Sequence, residues 1–305
     1  MNQKLSLEQL QILCDAAIKA TQEAGEYIEQ FDRRNLQRIF KNAGSSEASQ
    51  IVTEVDLASE EIIRQRLYES SKHFDIAFVG EESSQSSREN NCSKTNERFE
   101  KSYFWCVDPL DGTLAFAKGH SGYAVSIALA EQSGKSVIGV VYDPTHQVLY
   151  HAIEGQGSFR NLTPLEQTLK IPKSLTVYAD ASFKTHQKYE SAIRVLENCA
   201  QTLDLNSVKF VYGSGAVMNA CQVLESSHAC YLKLPKKEDG GGSIWDYAAT
   251  ACIARETRTK TGTAWVSNVF GQSLELNRRE STFMNHQGVI FASNKQIAQF
   301  LIDAL

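Results

Sequence analysis

The sequence predicts a mixed chain of the α+β or α/β class. Two observations carry this. Apolar runs separated by turn residues follow one another up to about residue 155, as in an antiparallel sheet, and strand-like and helix-like segments alternate after residue 175. The 305 residues are enough for a large core, and at roughly 150 residues per domain they suggest two lobes. We place these at 1–160, an α+β lobe with the antiparallel sheet, and 161–305, an α/β lobe.

Leu7, Leu10, Cys14, Ala17, Ile18, Ala24 and Ile28 fall at helical spacing and predict a helix over 7–30. Ser6 is its N-cap, and Gln9 completes a capping box. Residues 33–50 are polar around Gly44-Ser45-Ser46 and predict a loop or weak hairpin. A second helix is expected over 56–71, with Leu57, Ile63 and Leu67 on its apolar face and Asp56 at its start. Residues 75–79 read as a strand running into Gly80-Glu81-Glu82-Ser83, and 83–102 as a polar surface insertion. Phe104-Trp105-Cys106-Val107 is a buried strand leading to a sharp turn, Asp108-Pro109-Leu110-Asp111-Gly112-Thr113. Residues 114–117 then start a helix or an extended segment. Strands are expected at 123–129, 136–142 and 148–152. In the second half, strands are expected at 176–178, 207–212, 229–234, 264–266 and 289–292. Helices are expected at 189–201, 216–224, 245–255 and 295–305.

A net charge of −5 argues against a nucleic-acid polymer as partner, since phosphate backbones call for clustered Lys and Arg. The seven cysteines, Cys14, Cys92, Cys106, Cys199, Cys221, Cys230 and Cys252, include no C-x-x-C pair. They read as small buried hydrophobes in a reducing cytosol, not as a zinc site or a disulfide framework. His146 and His151 stand close in sequence, but no H-E-x-x-H accompanies them. No apolar signal-peptide core follows Met1, and no window approaches the ~18 apolar residues that span a bilayer. A cytoplasmic protein without a membrane partner is expected.

Four acidic segments stand out: Thr53-Glu54-Val55-Asp56, Gly80-Glu81-Glu82-Ser83, Asp108 to Thr113, and Trp245-Asp246-Tyr247-Ala248-Ala249. Taken singly, Glu81-Glu82 reads as a solvated turn, and Asp56 and Asp246 as helix caps. Asp-Pro-x-Asp-Gly-Thr is different, because a plain turn seldom needs both carboxylates and the Thr. Two carboxylates aimed at one point repel unless a cation lies between them, and hard oxygen ligands suit Mg2+. Gly112 and Thr113 can turn backbone N–H groups toward an anion. Cation and anion at one turn suggest metal-assisted phosphate chemistry.

In this order and spacing, the four segments resemble the inositol monophosphatase superfamily of Mg2+-dependent, lithium-sensitive phosphatases. That superfamily includes 3'(2'),5'-bisphosphate nucleotidases, with fructose-1,6-bisphosphatase more distant. The resemblance runs from about residue 7 to residue 300 and implies a layered α-β-α-β-α sandwich of the sugar-phosphatase type. It implies that Glu81, Asp108 and the Leu110 carbonyl hold a first Mg2+. Asp108, Asp111 and Asp246 would hold a second, and Glu81 would help hold a third through water, so two to three ions are expected. It implies further that Thr113 and Asp56 orient and deprotonate the attacking water, with Glu81 beside them, and that no phosphoenzyme forms. The Gly112 and Thr113 amides would hold phosphate oxygens. Gly213-Ser214-Gly215-Ala216 resembles a Gly-Ser segment near the substrate, which makes Ser214 a contact. Asp239 falls where inositol phosphatases carry an acidic residue for a substrate hydroxyl, although Asp239-Gly240-Gly241-Gly242-Ser243 also reads as a flexible, solvated run. The chain departs from the family pattern at Thr250 and at Glu256-Thr257-Arg258-Thr259, which bears on substrate identity and not on the metal ligands.

The substrate expected is a small phosphate ester. Tyr231-Leu232-Lys233-Leu234-Pro235 followed by Ile244-Trp245-Asp246 looks like the bisphosphate nucleotidases, with Lys233, Lys236 and Lys237 available to neutralise a second phosphate. Ala124-Val125-Ser126-Ile127 looks like the inositol phosphatases. The reading leans to a 3'(2'),5'-bisphosphate nucleotide such as 3'-phosphoadenosine 5'-phosphate, with inositol monophosphate next. A non-catalytic Mg2+-binding or partner-binding relative is the alternative of another class. Relatives include dimers and monomers, so a homodimer stays open.

Overall fold

Helix α1 (Leu7–Gln30) opens the chain in the computed structural model, which describes residues 4–36, 38–40, 51–84, 97–167, 172–259 and 262–305. Ser6 and Gln9 close its capping box, and Leu13, Cys14, Ala17, Ala24 and Ile28 bury its inner face. An antiparallel pair follows, β1 (Arg38–Phe40) with β2 (Ile51–Thr53), which is the hairpin alternative of the expected loop or weak hairpin. Residues 41–50 lie outside the described residues. Helix α2 (Glu54–Phe74) begins two residues before the expected start, because Thr53 caps it and Asp56, the third helical residue, closes a capping box. Val55, Ile63 and Leu67 are buried, whereas Leu57 is 48% exposed. Leu57 lies six residues before Ile63, roughly 240° round the helix, and so leaves the apolar face.

Seven strands make the first sheet, in chain order. They are β3 (Ala77–Gly80), β4 (Tyr103–Asp111), β5 (Ala124–Glu131), β6 (Ser136–Asp143), β7 (Val148–Ile153), β8 (Ser158–Arg160) and β9 (Thr163–Pro164). Every pair is antiparallel except β3–β4. The stretch from Gly80 to Tyr103 is long enough for the crossover that a parallel pair needs. Residues 85–96, most of the expected polar insertion, lie outside the described residues. A five-residue helix, α3 (Thr113–Ala117), follows β4.

The second half alternates as expected: β10 (Ser174–Ala179), α4 (Tyr189–Thr202), β11 (Ser207–Tyr212), α5 (Ala216–Glu225), β12 (Ala229–Lys233) and α6 (Ile244–Glu256). A small hairpin, β13 (Arg258–Thr259) with β14 (Gly262–Thr263), precedes β15 (Trp265–Ser267), β16 (Val289–Ala292) and α7 (Lys295–Ala304). The second sheet has the order β11-β10-β12-β16-β15. β10 runs parallel to both of its neighbours, and β16 antiparallel to both of its own.

Alternation along β4 shows how the layers form. Trp105 and Val107 face α1 and α2, packing with Leu13, Ile63 and Ile127. Phe104 and Cys106 face the other way, toward α5 and α6. There Met218, Trp245 and Ala249 fill the space between the two sheets, against Tyr231 and Phe291 of the second. Leu196 of α4 and Leu301 of α7 cover the outer face of that sheet, on Val177 and Ile290. The result is the expected α-β-α-β-α sandwich. Among the described residues, no helix is long and apolar enough to cross a membrane.

Candidate active site

The Asp-Pro segment is a bulged strand end, not the sharp turn expected from its residues. Asp108 pairs with Ser126 and Asp111 with Ala124, so three steps on β4 match two on β5. In a regular strand, residues three apart face opposite sides of the sheet. The extra residue brings both carboxylates to one side. Pro109 suits a bulge because it has no N–H to give to the ladder. Asp108 Oδ1 accepts a hydrogen bond from the Leu110 amide at 3.1 Å. Gly112, at φ 86°, then turns the chain into α3; a side chain there would also press on Gly122.

Asp246 joins this pair from the first turn of α6, where it closes a capping box with Ser243. Carboxylate oxygens of Asp108, Asp111 and Asp246 lie within 4.8 Å of one another. Both Asp111 oxygens are already held, by the amides of Ala216 at 3.1 Å and Val217 at 2.9 Å. Asp111 thus caps α5, and Gly215 must be glycine there, since a Cβ would stand 2.2 Å from Asp111 Oδ2. Burial, then the Asp246 charge, pushes the Asp111 carboxyl well above its ordinary range. Burial, then Glu81, pushes Asp246 up to about 7. Unit charges this close repel by roughly 3 kcal/mol or more per pair at an effective dielectric of ~20. The cluster is therefore a set of hard oxygen donors in need of positive charge, which fits Mg2+.

Two further acidic side chains come from α2, one turn apart on one face. Asp56 Oδ1 accepts from Thr113 Oγ1 at 2.8 Å, and Asp56 Oδ2 accepts from the Thr53 amide at 2.8 Å and the Thr53 hydroxyl at 2.5 Å. Thr113 Oγ1 also lies 3.1 Å from the Leu110 carbonyl oxygen, so one hydroxyl proton faces two acceptors. Glu60, buried, accepts from the amides of Glu82 at 2.9 Å and Ser83 at 3.0 Å. It fixes the helical turn over 81–84 on which Glu81 stands half-buried.

Over residues 9–305 the sequence matches the profile of the Inositol monophosphatase family. The chain belongs to the inositol monophosphatase family. Members of this family are phosphatases, hydrolases of phosphoric monoesters. Among its relatives, Inositol monophosphatase 2 of Saccharomyces cerevisiae is 30% identical over 213 residues, covering 68% of this chain and 67% of the yeast protein. The 3'(2'),5'-bisphosphate nucleotidase CysQ of Salmonella typhimurium is 31% identical over 182 residues, 60% of this chain and 65% of that protein. In fold, the chain is similar to the extragenic suppressor protein suhB from Bartonella henselae, with a TM-score of 0.71 at 22% identity over 96% of this chain and 98% of that one.

The remaining expected contacts of this inositol monophosphatase family chain are spread more widely. Ser214 is half-buried just before Gly215, whose amide donates to the Gly122 carbonyl at 2.7 Å. Asp239 is exposed in the loop before α6, as are Lys237 and Glu238. Lys236 is half-buried, and burial, then Lys233, lowers its pKa. Sequence reasoning missed Glu60 and Asp180. Glu60 had one available signal, its place four residues after Asp56 on a helix. Asp180 had another: it follows the apolar run of β10, at the carboxyl end of a strand flanked by two parallel neighbours, where ligand sites collect in such sheets.

Proposed function

We propose that this chain hydrolyses a small phosphate monoester with two to three Mg2+ ions, by direct attack of water. The observation that carries this reading is the gathering of Asp108, Asp111 and Asp246 within 4.8 Å, beside a Thr113–Asp56 hydrogen bond of 2.8 Å. Glu81, Asp108 and the Leu110 carbonyl would hold one ion, and Asp108, Asp111 and Asp246 another. When bound, Mg2+ supplies charge neutralisation and makes water more acidic. Thr113 orients the attacking water and takes its proton as its own passes to Asp56. Thr53 prepares that carboxylate by fixing its other oxygen. The Gly112 and Thr113 amides, at the turn into α3, bind phosphate oxygens.

For the ester itself, the leading reading is a 3'(2'),5'-bisphosphate nucleotide. It is supported by Lys233 at the end of β12, the half-buried Lys236, and the likeness to the Salmonella nucleotidase. Inositol monophosphate is the second reading. It is favoured by the yeast relative and by Ser126 of the 124–127 segment, whose hydroxyl donates to the Trp245 carbonyl at 3.4 Å, beside Asp246. Phosphate release from 3'-phosphoadenosine 5'-phosphate, inositol 1-phosphate and fructose 1,6-bisphosphate, with and without Mg2+, tests both. Mg2+-dependent release with the nucleotide fastest is expected. No release from any ester would favour the non-catalytic alternative.

A further inference from the structure

Asp180 directly follows β10 and stands at the N-cap of a 3-10 turn (Ala181–Thr185), yet its side chain makes no capping hydrogen bond. An aspartate at that place ordinarily caps its own turn. This carboxylate is turned elsewhere. Oδ1 accepts from Asn219 Nδ2 at 3.2 Å, and Oδ2 accepts from the Tyr231 hydroxyl at 3.2 Å and pairs with Lys233 Nζ.

These partners tie Asp180 to the carboxylate cluster. Asn219 also donates to the Ser214 carbonyl at 3.4 Å, in the same first turn of α5 that Asp111 caps. Its Oδ1 is buried without a partner, an acceptor left open beside the pair. Tyr231 packs in the core with Tyr247, the neighbour of Asp246. The Lys233 and Asp180 side chains are 17% and 19% exposed, so the pair is enclosed but still reachable by a ligand. Burial alone would lower the Lys233 pKa; Asp180, then Asp246 and Asp111, raise it instead, so the ammonium feels all three carboxylates.

An ammonium at the end of β12, within electrostatic reach of Asp246 and Asp111, offers positive charge to an anionic group of a substrate held at that cluster. Asp180 offsets part of that charge. Removing either partner leaves the other enclosed without its counter-charge, which costs stability; charges set beside a binding site also bear on which ligand is preferred. We infer that Asp180 and Lys233 are a specificity-determining pair for the part of the substrate beyond the reacting phosphate. Lys233 supplies the charge that a second anionic group needs, and Asp180 sets how much of it is available. The inference rests on the phosphatase reading above.

The test compares kcat/KM for 3'-phosphoadenosine 5'-phosphate with that for inositol 1-phosphate, in Mg2+. Asp180→Asn should raise the ratio about tenfold by unmasking Lys233, with KM moving more than kcat. Lys233→Met should lower it about tenfold or more, and Lys233→Arg should keep most of it. If Asp180→Asn does not fold, the two Lys233 variants decide alone. Ratios equal to wild type in folded Asp180→Asn and Lys233→Met would overturn the inference while leaving the phosphatase reading intact. If wild type released no phosphate, that reading would fail instead. Calorimetric binding of 3'-phosphoadenosine 5'-phosphate, which needs no turnover, would then decide: weaker binding by Lys233→Met supports the pair, and equal binding overturns it.

Discussion

Asp108 carries the heaviest demand of any single residue, since it is expected to serve both main ions from the bulge of β4. Asp108→Asn keeps the shape and removes one charge from the cluster. Turnover should fall by on the order of 100-fold or more, and near-normal kcat in saturating Mg2+ would contradict its role. Thr113 makes a separate demand. Its hydroxyl lies between Asp56 and the Leu110 carbonyl, and Thr113→Val keeps the volume without the proton path. A loss in kcat of on the order of 100-fold, with the Mg2+ requirement unchanged, is expected from rate measurements across an Mg2+ series. At this scale much was legible in advance. Asp56, Glu81, Asp108, Asp111, Thr113 and Asp246 stand in short acidic segments whose composition is costly without a counter-charge. Glu60 and Asp180 each had a local signal, but their partners, Glu82 22 positions away and Lys233 53 positions away, were not legible.

Among elements, helix starts do most of the positioning. Asp56 and Asp246 are each the third residue of a helix and close its capping box, and Asp111 caps α5 from β4. Reading Asp56 and Asp246 as caps was therefore sound, and a capping carboxylate can still face the candidate site. The 81–84 turn depends on Glu60 instead. Glu60→Ala leaves two amides without their carboxylate, at a cost of about 1–3 kcal/mol each where they are buried. We expect a lower Tm and a several-fold higher half-saturating Mg2+ concentration, with Glu60→Gln in between. An unchanged Mg2+ dependence would show that Glu60 supports only the fold. Helix spans were legible from periodicity and caps; α1 falls on the expected residues 7–30. The bulge in β4 was not, because register belongs to the pairing of two strands, and no single-strand pattern reports it.

For the molecule as a whole, the layers place α5 and α6 between two sheets, so Asp111 and Asp246 meet over a shared core. Alternating segments made the fold class legible. The parallel entry of β3 was hidden, since strand direction depends on the path of the connection. The clustered carboxylates oppose folding while no cation is present. Adding Mg2+ should raise Tm, through mass action on the folded state, by more in wild type than in Asp108→Asn. An equal rise in both would place the stabilising ion elsewhere. The six described cysteines are free and buried, and burial pushes Cys14 and Cys252 each up to about 12. Iodoacetamide at neutral pH should leave these six unmodified in the native protein, as peptide mass spectrometry would show. Rapid labelling of any of them would contradict the packing described. Diffraction from crystals soaked in Mn2+, a close stand-in for Mg2+ that scatters anomalously, probes the carboxylate cluster itself. An anomalous peak enclosed by the Asp108, Asp111 and Asp246 carboxylates is expected; a fully soaked crystal with no peak there would show that the three do not hold a metal ion.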